Sequence, residues 1–342
     1  MPLLDNLELS FNDKIGLVCY TFNSSNDCME EKEMSLQKIR TAFEVMDKCE
    51  AWSIQLLRIK TSKSKGTEYA AMSVNITPQG KLVNIVEEIS EHFIDATKGE
   101  LRSFLRVQDY DGTAEGNVIY KLSAENSLVK DEYDVLVNAL ANIEQEADPL
   151  SQKLQAYVIQ GVIEIGDETT AVKLISMQNP ITTLKHKFMH ENNTFREIET
   201  KVLSLRSVID VMILNDEIYF FSMAGEKLFN MERAYKKVCD DKVAMLESGD
   251  ILYDSRVFGN VARTGHHPRM FVSFNEKRYQ RLKSKKERKR YAELFEIPIK
   301  EGKFDTSEAD AADKLVRLLC NKGMVDPFED LPVEVSGARK WQ

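Results

Sequence analysis

The sequence predicts an α+β fold: an N-terminal α/β domain over residues 1–116, then a 117–342 domain with a strand-rich middle and a helical C-terminal third. Three observations lead there. Strand-like and helical apolar periods alternate over the first hundred residues or so. After Pro149, short β-branched runs follow one another with turn dipeptides between them. Beyond Met231 the apolar spacing is helical almost throughout.

Taken in order, Lys14–Phe22 reads as a strand, carried by Ile15, Leu17, Val18 and Tyr20. Met34, Leu36, Ile39, Phe43 and Met46 recur at helical spacing and predict a helix from about Glu30 to Cys49. Trp52–Ile59 and Glu68–Ile76 read as two strands of a hairpin, joined by the polar stretch Lys60–Gly66. Leu82, Ile85, Val86, Ile89 and Phe93 mark a second helix that stops before Gly99. Asp109–Gly116 has almost no apolar content and reads as the loop at the domain boundary. Asp131–Glu146 is a helix ended by Asp148-Pro149.

Strands are then expected at Leu154–Ile165, Thr169–Met177, Glu199–Leu205, Ser207–Leu214 and Glu217–Phe221, the last two joined by an Asn215-Asp216 turn. Met231–Leu246 and Asp313–Cys320 read as helices, and Pro332–Trp341 as a strand pair around Ser336-Gly337.

Composition narrows the function. Hydrophobic residues make up 43% and charged residues 30% of 342, which suits a soluble globular chain with a real core. Disordered, collagen-like and disulfide-stapled classes are excluded. The best apolar run, Val208–Leu214, is short and contains Asp210, so no membrane span is expected. Asp5 and Glu8 stand where a signal peptide would need its apolar stretch. Cys19, Cys28, Cys49, Cys239 and Cys320 form no CxxC pair and read as reduced core thiols of a cytoplasmic protein.

Charge is the informative feature. The chain carries a net −9, yet Lys277, Arg278, Arg281, Lys283, Lys285, Lys286, Arg288, Lys289 and Arg290 stand in one segment against a single acid, Glu287. That segment is +8, which leaves −17 on the remainder. Tyr279, Leu282, Tyr291, Leu294 and Phe295 interleave with the cations, as in an amphipathic helix. Arg263, His266, His267 and Arg269 add positive character upstream. Such a patch suits phosphate: it neutralises backbone charge, releases counterions and reads no sequence. The acidic remainder confines nucleic acid to that face. A solvated helix face, or one that docks an acidic protein or an anionic membrane, is the competing reading.

Enzyme motifs are missing: there is no phosphate loop, no GxGxxG, HExxH or GxSxG. His186 and His190 are four apart, the spacing of two ligands on one helix face, but lack a third donor and read as surface histidines. A Mg²⁺ nuclease would pair Asp210 with Glu217, but the lysine such a site needs is replaced by Tyr219. Asp210 reads instead as a hydrogen-bonded structural residue. No cofactor and no metal are expected.

The run Ser207-Val208-Ile209-Asp210-Val211-Met212-Ile213-Leu214, then Asn215–Phe221 and the helix start at Ser222–Phe229, resembles the DUF4868 family, which includes the KwaB-like proteins of the Kiwa anti-phage system. The basic helical region and a closing segment from Leu318-Leu319-Cys320 to Val333-Glu334-Val335 extend the resemblance, which covers roughly Asn117 to the C-terminus. It implies a cytoplasmic bacterial protein that a KwaA-like membrane protein recruits to the inner membrane. It also implies binding of double-stranded DNA that hinders phage replication and transcription, with no catalytic residue to carry over. A homodimer is expected. The phosphate contacts are expected at Arg281, Lys283, Lys285, Lys286, Arg288, Lys289 and Arg290, flanked by Lys277 and Arg278, with Arg263 and Arg269 as lesser contacts.

Overall fold

The computed structural model describes residues 36–320, apart from 50, 63–65, 79, 99–105, 115–116, 145–147, 184–187 and 198–200, together with 323–325 and 332–334. The strand expected at Lys14–Phe22 lies outside the described residues. A helix over 36–45 (α1) ends in a 3-10 turn, Met46–Lys48. Strands β1 (Ser53–Ser62) and β2 (Gly66–Val74) follow, then helix α2 (Gly80–Lys98), strands β3 (Arg106–Asp109) and β4 (Val118–Ser123), and helix α3 (Lys130–Ala141). The strand-rich middle holds β5 (Ala156–Ile165), β6 (Glu168–Ser176), β7 (Ile181–Thr183), β8 (Phe188–Glu191), β9 (Thr194–Glu197), β10 (Lys201–Leu203), β11 (Val211–Leu214) and β12 (Glu217–Phe220).

Eight strands form one mixed sheet in the order β2-β1-β5-β6-β11-β12-β4-β3, antiparallel except for the parallel β3–β4 pair at one edge. The expected hairpin is β1–β2, and its strands run on through Lys60, Thr61 and Ser62, which pair with Glu68, Thr67 and Gly66. Residue 116 falls between β3 and β4, which pair with each other, and β1 pairs with β5, so this one sheet draws strands from both sides of that position.

Both faces of the sheet are covered, which explains the unbroken apolar runs of its central strands. Along β11, Met212 and Leu214 face one cluster while Val211 and Ile213 face the other. The first cluster is closed by Ile39, Phe43 and Met46 of the first helix and turn and by Leu82, Val86, Ile89 and Phe93 of α2. The second is closed by Tyr133, Leu136 and Leu140 of α3 and by Phe229, Met231 and Tyr235. Gly161 in β5 lets the Trp52 ring lie against the sheet: a Cβ there would meet Trp52 Cε3 at 2.7 Å and Cys49 Sγ at 3.1 Å.

The helical region begins with α4 (Met231–Ser248). Its first half belongs to the sheet's core, while Cys239, Val243 and Leu246 of its second half seed a third core. Around that core pack α5 (Ser255–Ala262), α6 (His267–Met270), α7 (Glu276–Lys283), α8 (Lys285–Leu294), the hairpin β13 (Ile299–Lys300) and β14 (Lys303–Phe304), and α9 (Ala309–Leu319). Burial pushes the Cys239 thiol up to about 11, so it is a core thiol, and Cys49 and Cys320 are buried and unbridged as well.

Two expectations are corrected, the single basic helix and the length of the helix that begins near Asp131. The single basic helix is two helices, because Ser284 is extended (ψ 118°) and serves as C-cap of α7 and N-cap of α8 at once. Pro332–Glu334 (β16), the start of the strand pair expected around Ser336-Gly337, pairs with Gly323–Val325 (β15), and the rest of that expected pair, residues 335–342, lies outside the described residues. The helix expected to reach Glu146 stops at Ala141, where the Asn142 side chain turns back to Asn138. His190 lies on strand β8, whose partner β9 is reached through an Asn192-Asn193 turn with both residues at positive φ. It is exposed there, as the surface-histidine reading expects, and His186 lies outside the described residues. Strands β3 and β4 went unpredicted, being short and set beside a polar loop.

Candidate nucleic-acid interface

The α7–α8 pair divides its cations by helical geometry. At 100° per residue, Tyr279 and Leu282 point α7 into the third core, and Lys277 and Arg281 stand together on the opposite side. On α8, Lys285, Lys289, Lys286 and Arg290 share an arc of about 140° away from the core. Arg288 falls on the other arc, with Tyr291, Ala292 and Phe295. Seven cations are thus exposed on this pair: Lys277, Arg281, Lys283, Lys285, Lys286, Lys289 and Arg290. Lys283 holds its ammonium over the Tyr279 ring, 4.8 Å from its centroid, while the residue as a whole stays exposed. Among the described residues, only loose surface pairs touch this face: Lys289 to Glu293 at 3.7 Å and Arg290 to Glu287 at 3.8 Å. Pairs of that kind contribute little.

Lys285 and Lys286 occupy the first turn of α8, where the helix dipole favours anions and disfavours cations. Local stability alone would place Asp or Glu there. The sequence instead concentrates positive charge at that end.

Four expected contacts are engaged elsewhere. Arg288 is 4% exposed. Its Nη1 donates to the carbonyls of Leu282 (2.6 Å) and Lys283 (3.1 Å), and its Nε to that of Gly302 (2.8 Å). It satisfies carbonyls at the end of α7 and ties α8 to the β13–β14 turn. Arg278 donates from Nη1 to the Leu319 carbonyl at 2.9 Å, fastening α7 to the end of α9. Arg269 donates from Nη2 to Glu226 Oε1 at 2.6 Å, the same oxygen that accepts from the Tyr110 hydroxyl at 2.6 Å. Tyr110 also meets the Tyr235 hydroxyl, so this buried knot ties the loop after β3, α4 and α6 together just upstream of α7. Arg263 is exposed but is held by Asp240 at 2.6 Å. A buried guanidinium spent on carbonyls or a carboxylate is a brace, and the sequence signal existed for Arg288: it lies at helical spacing with Tyr291, Ala292 and Phe295.

The nuclease pair does not come together. Asp210 stands beyond the Val211–Phe220 pair, and Glu217 sits at the turn end opposite Leu214. Four strand steps separate them, roughly 13 Å, whereas one Mg²⁺ holds its ligands at about 2.1 Å. Asp210 is the structural residue expected of it: its carboxylate accepts from the Met177 amide at 2.7 Å, from Arg206 Nη2 at 3.0 Å and from the Ser222 hydroxyl at 2.5 Å. Among the described residues no group of three or more His, Cys, Asp or Glu could hold a metal ion. No described helix is long and apolar enough to cross a membrane.

Glu217 has its own role. Burial raises its carboxyl, but Lys121 (2.8 Å), Lys38 (2.6 Å) and the Tyr219 hydroxyl (2.8 Å) outweigh that and bring it from 4.5 to about 2. A carboxyl lower in the folded state contributes stability that is complete above its unfolded value and lost as pH falls. The stability gap between the wild type and Glu217→Gln is therefore expected to be widest near neutrality and to close between pH 4.5 and about 2. Denaturant melts across that range check it; a gap that stays constant would contradict the assignment.

The model of the Kiwa protein KwaB-like family matches residues 151–325, just over half of the chain, from the strand-rich middle to β15. The match includes the hairpin β11–β12, the helical core and the whole cationic pair. No curated protein and no solved structure matches the chain. The chain belongs to the KwaB-like family of the Kiwa anti-phage defence system.

Proposed function

We propose that the protein is a non-catalytic DNA-binding effector of anti-phage defence, gripping double-stranded DNA on the outer face of α7 and α8. One observation carries the reading: seven cations project from two braced helices of a chain whose net charge is −9. Lys277, Arg281, Lys283, Lys285, Lys286, Lys289 and Arg290 would contact phosphates, so binding is expected to be nearly sequence-independent and sensitive to salt. Arg278 and Arg288 brace that face from behind, and Arg263 and Arg269 are held by carboxylates upstream of it. Family membership implies action beside a KwaA-type partner, which would bring the protein, as a homodimer, to the inner membrane to block replication or transcription.

The test is fluorescence polarisation with a labelled duplex at low and moderate salt, followed by a gel of the same samples after incubation with Mg²⁺. Salt-sensitive binding of intact DNA supports the reading. No binding at low salt would move the cationic face to an acidic protein or a membrane, and cut DNA would overturn the non-catalytic part.

A further inference from the structure

Beside the cationic face runs a groove of about 400 Å³ between α8 and the β13–β14 hairpin. Its floor is apolar, made by Ala292, Ile297 and Ile299, and Ile299 is 39% exposed. Lys285, Lys289 and Glu293 form one wall, four residues apart along the same flank of α8. Gly302, at φ +75° in the turn of the hairpin, closes one end: a Cβ there would lie 3.8 Å from Lys285 Cδ, so the lysine stem runs across the turn.

The geometry points to this groove as a site for an unpaired nucleotide of single-stranded or locally opened DNA. The inference rests on the DNA-binding reading and extends it. Lys285 and Lys289 belong to the cationic arc, so a strand held there has its sugar and base within reach of the groove. A space of this size holds one small-molecule-sized group. A base inside a duplex has its faces stacked and its pairing edge occupied, so only an unpaired base can lie on the floor. The floor offers aliphatic contact to the base's apolar face.

Glu293 sets the preference. An ionised carboxylate only accepts hydrogen bonds. Cytosine, adenine and guanine each carry an exocyclic amine that can donate to it, whereas thymine's one donor, N3–H, stands between two carbonyl acceptors that repel a carboxylate. Its present contact with Lys289, 3.7 Å between two exposed side chains, is weak enough to give way.

The experiment is competition of unlabelled oligo(dC), oligo(dA) and oligo(dT) against a labelled single strand, with a duplex measured in parallel. Wild-type protein is expected to prefer oligo(dC) and oligo(dA) over oligo(dT) by about tenfold. Glu293→Gln should bring that ratio close to unity. Ile299→Ser should weaken the single strands about threefold and leave duplex affinity unchanged. Duplex binding with no single-strand binding, with equal affinity for the three oligonucleotides, or with single-strand binding indifferent to both variants overturns the groove site and leaves the duplex reading standing. Failure to bind duplex and single strands alike overturns both.

Discussion

Replacing Arg281, Lys285, Lys286, Lys289 and Arg290 together by glutamate is expected to weaken duplex binding at low salt by about a thousandfold or more, without lowering the melting temperature. Each phosphate contact removed takes with it a released counterion, so the slope of log affinity against log salt should flatten by about 0.9 per contact. Stability should hold because these side chains are exposed and, among the described residues, make only the two loose pairs with Glu293 and Glu287. Glutamate at positions 285 and 286 would complement the α8 dipole and offset the like-charge contacts that positions 289 and 290 gain with Glu293 and Glu287. Polarisation titrations beside thermal melts check both halves. Unaltered affinity would remove the cationic face from the account, and collapse of the fold would remove the claim that these residues are free for function.

Arg288→Met is expected to do the reverse. It takes one charge from the basic segment, yet it should destabilise the protein by about 3 kcal/mol, because the carbonyls of Leu282, Lys283 and Gly302 lose their donor in a buried setting. For a chain of 342 residues that is a fall of about 4 °C in the melting temperature. DNA affinity of the fraction still folded should drop less than in the glutamate variant, since the outward cations remain. Arg288→Met with unchanged stability and a large loss of affinity would make Arg288 a phosphate contact after all. The two variants therefore separate charge offered to a ligand from charge spent on the fold.

The sequence made the strong periods legible and left the junctions obscure. β5, β6, α2, α4 and α9 were readable because long apolar runs or helical spacing admit one assignment. The short strands β3, at the edge, and β4, beside it, were not, since four to six residues beside a polar loop leave little pattern to read, and their order in the sheet depends on tertiary pairing. The positive segment was visible as charge, but its division was not read from it. Arg278 and Arg288 resemble their neighbours in composition and differ only in which arc of the helix they occupy. The break at Ser284 is a capping event: a serine between two strongly helical runs closes α7 and opens α8. For Arg269, no local pattern predicts an ion pair to Glu226, 43 residues upstream, or a shared acceptor with Tyr110.

The measurement that bears most directly on the central claim is the salt dependence of duplex binding by the intact wild-type protein. Seven outward cations predict a log–log slope of about −4 to −6, hence roughly a thousandfold loss of affinity between about 50 and 200 mM salt. A slope near zero, or no binding at the lowest salt, would contradict a phosphate-gripping face and with it the assignment of α7 and α8 to DNA.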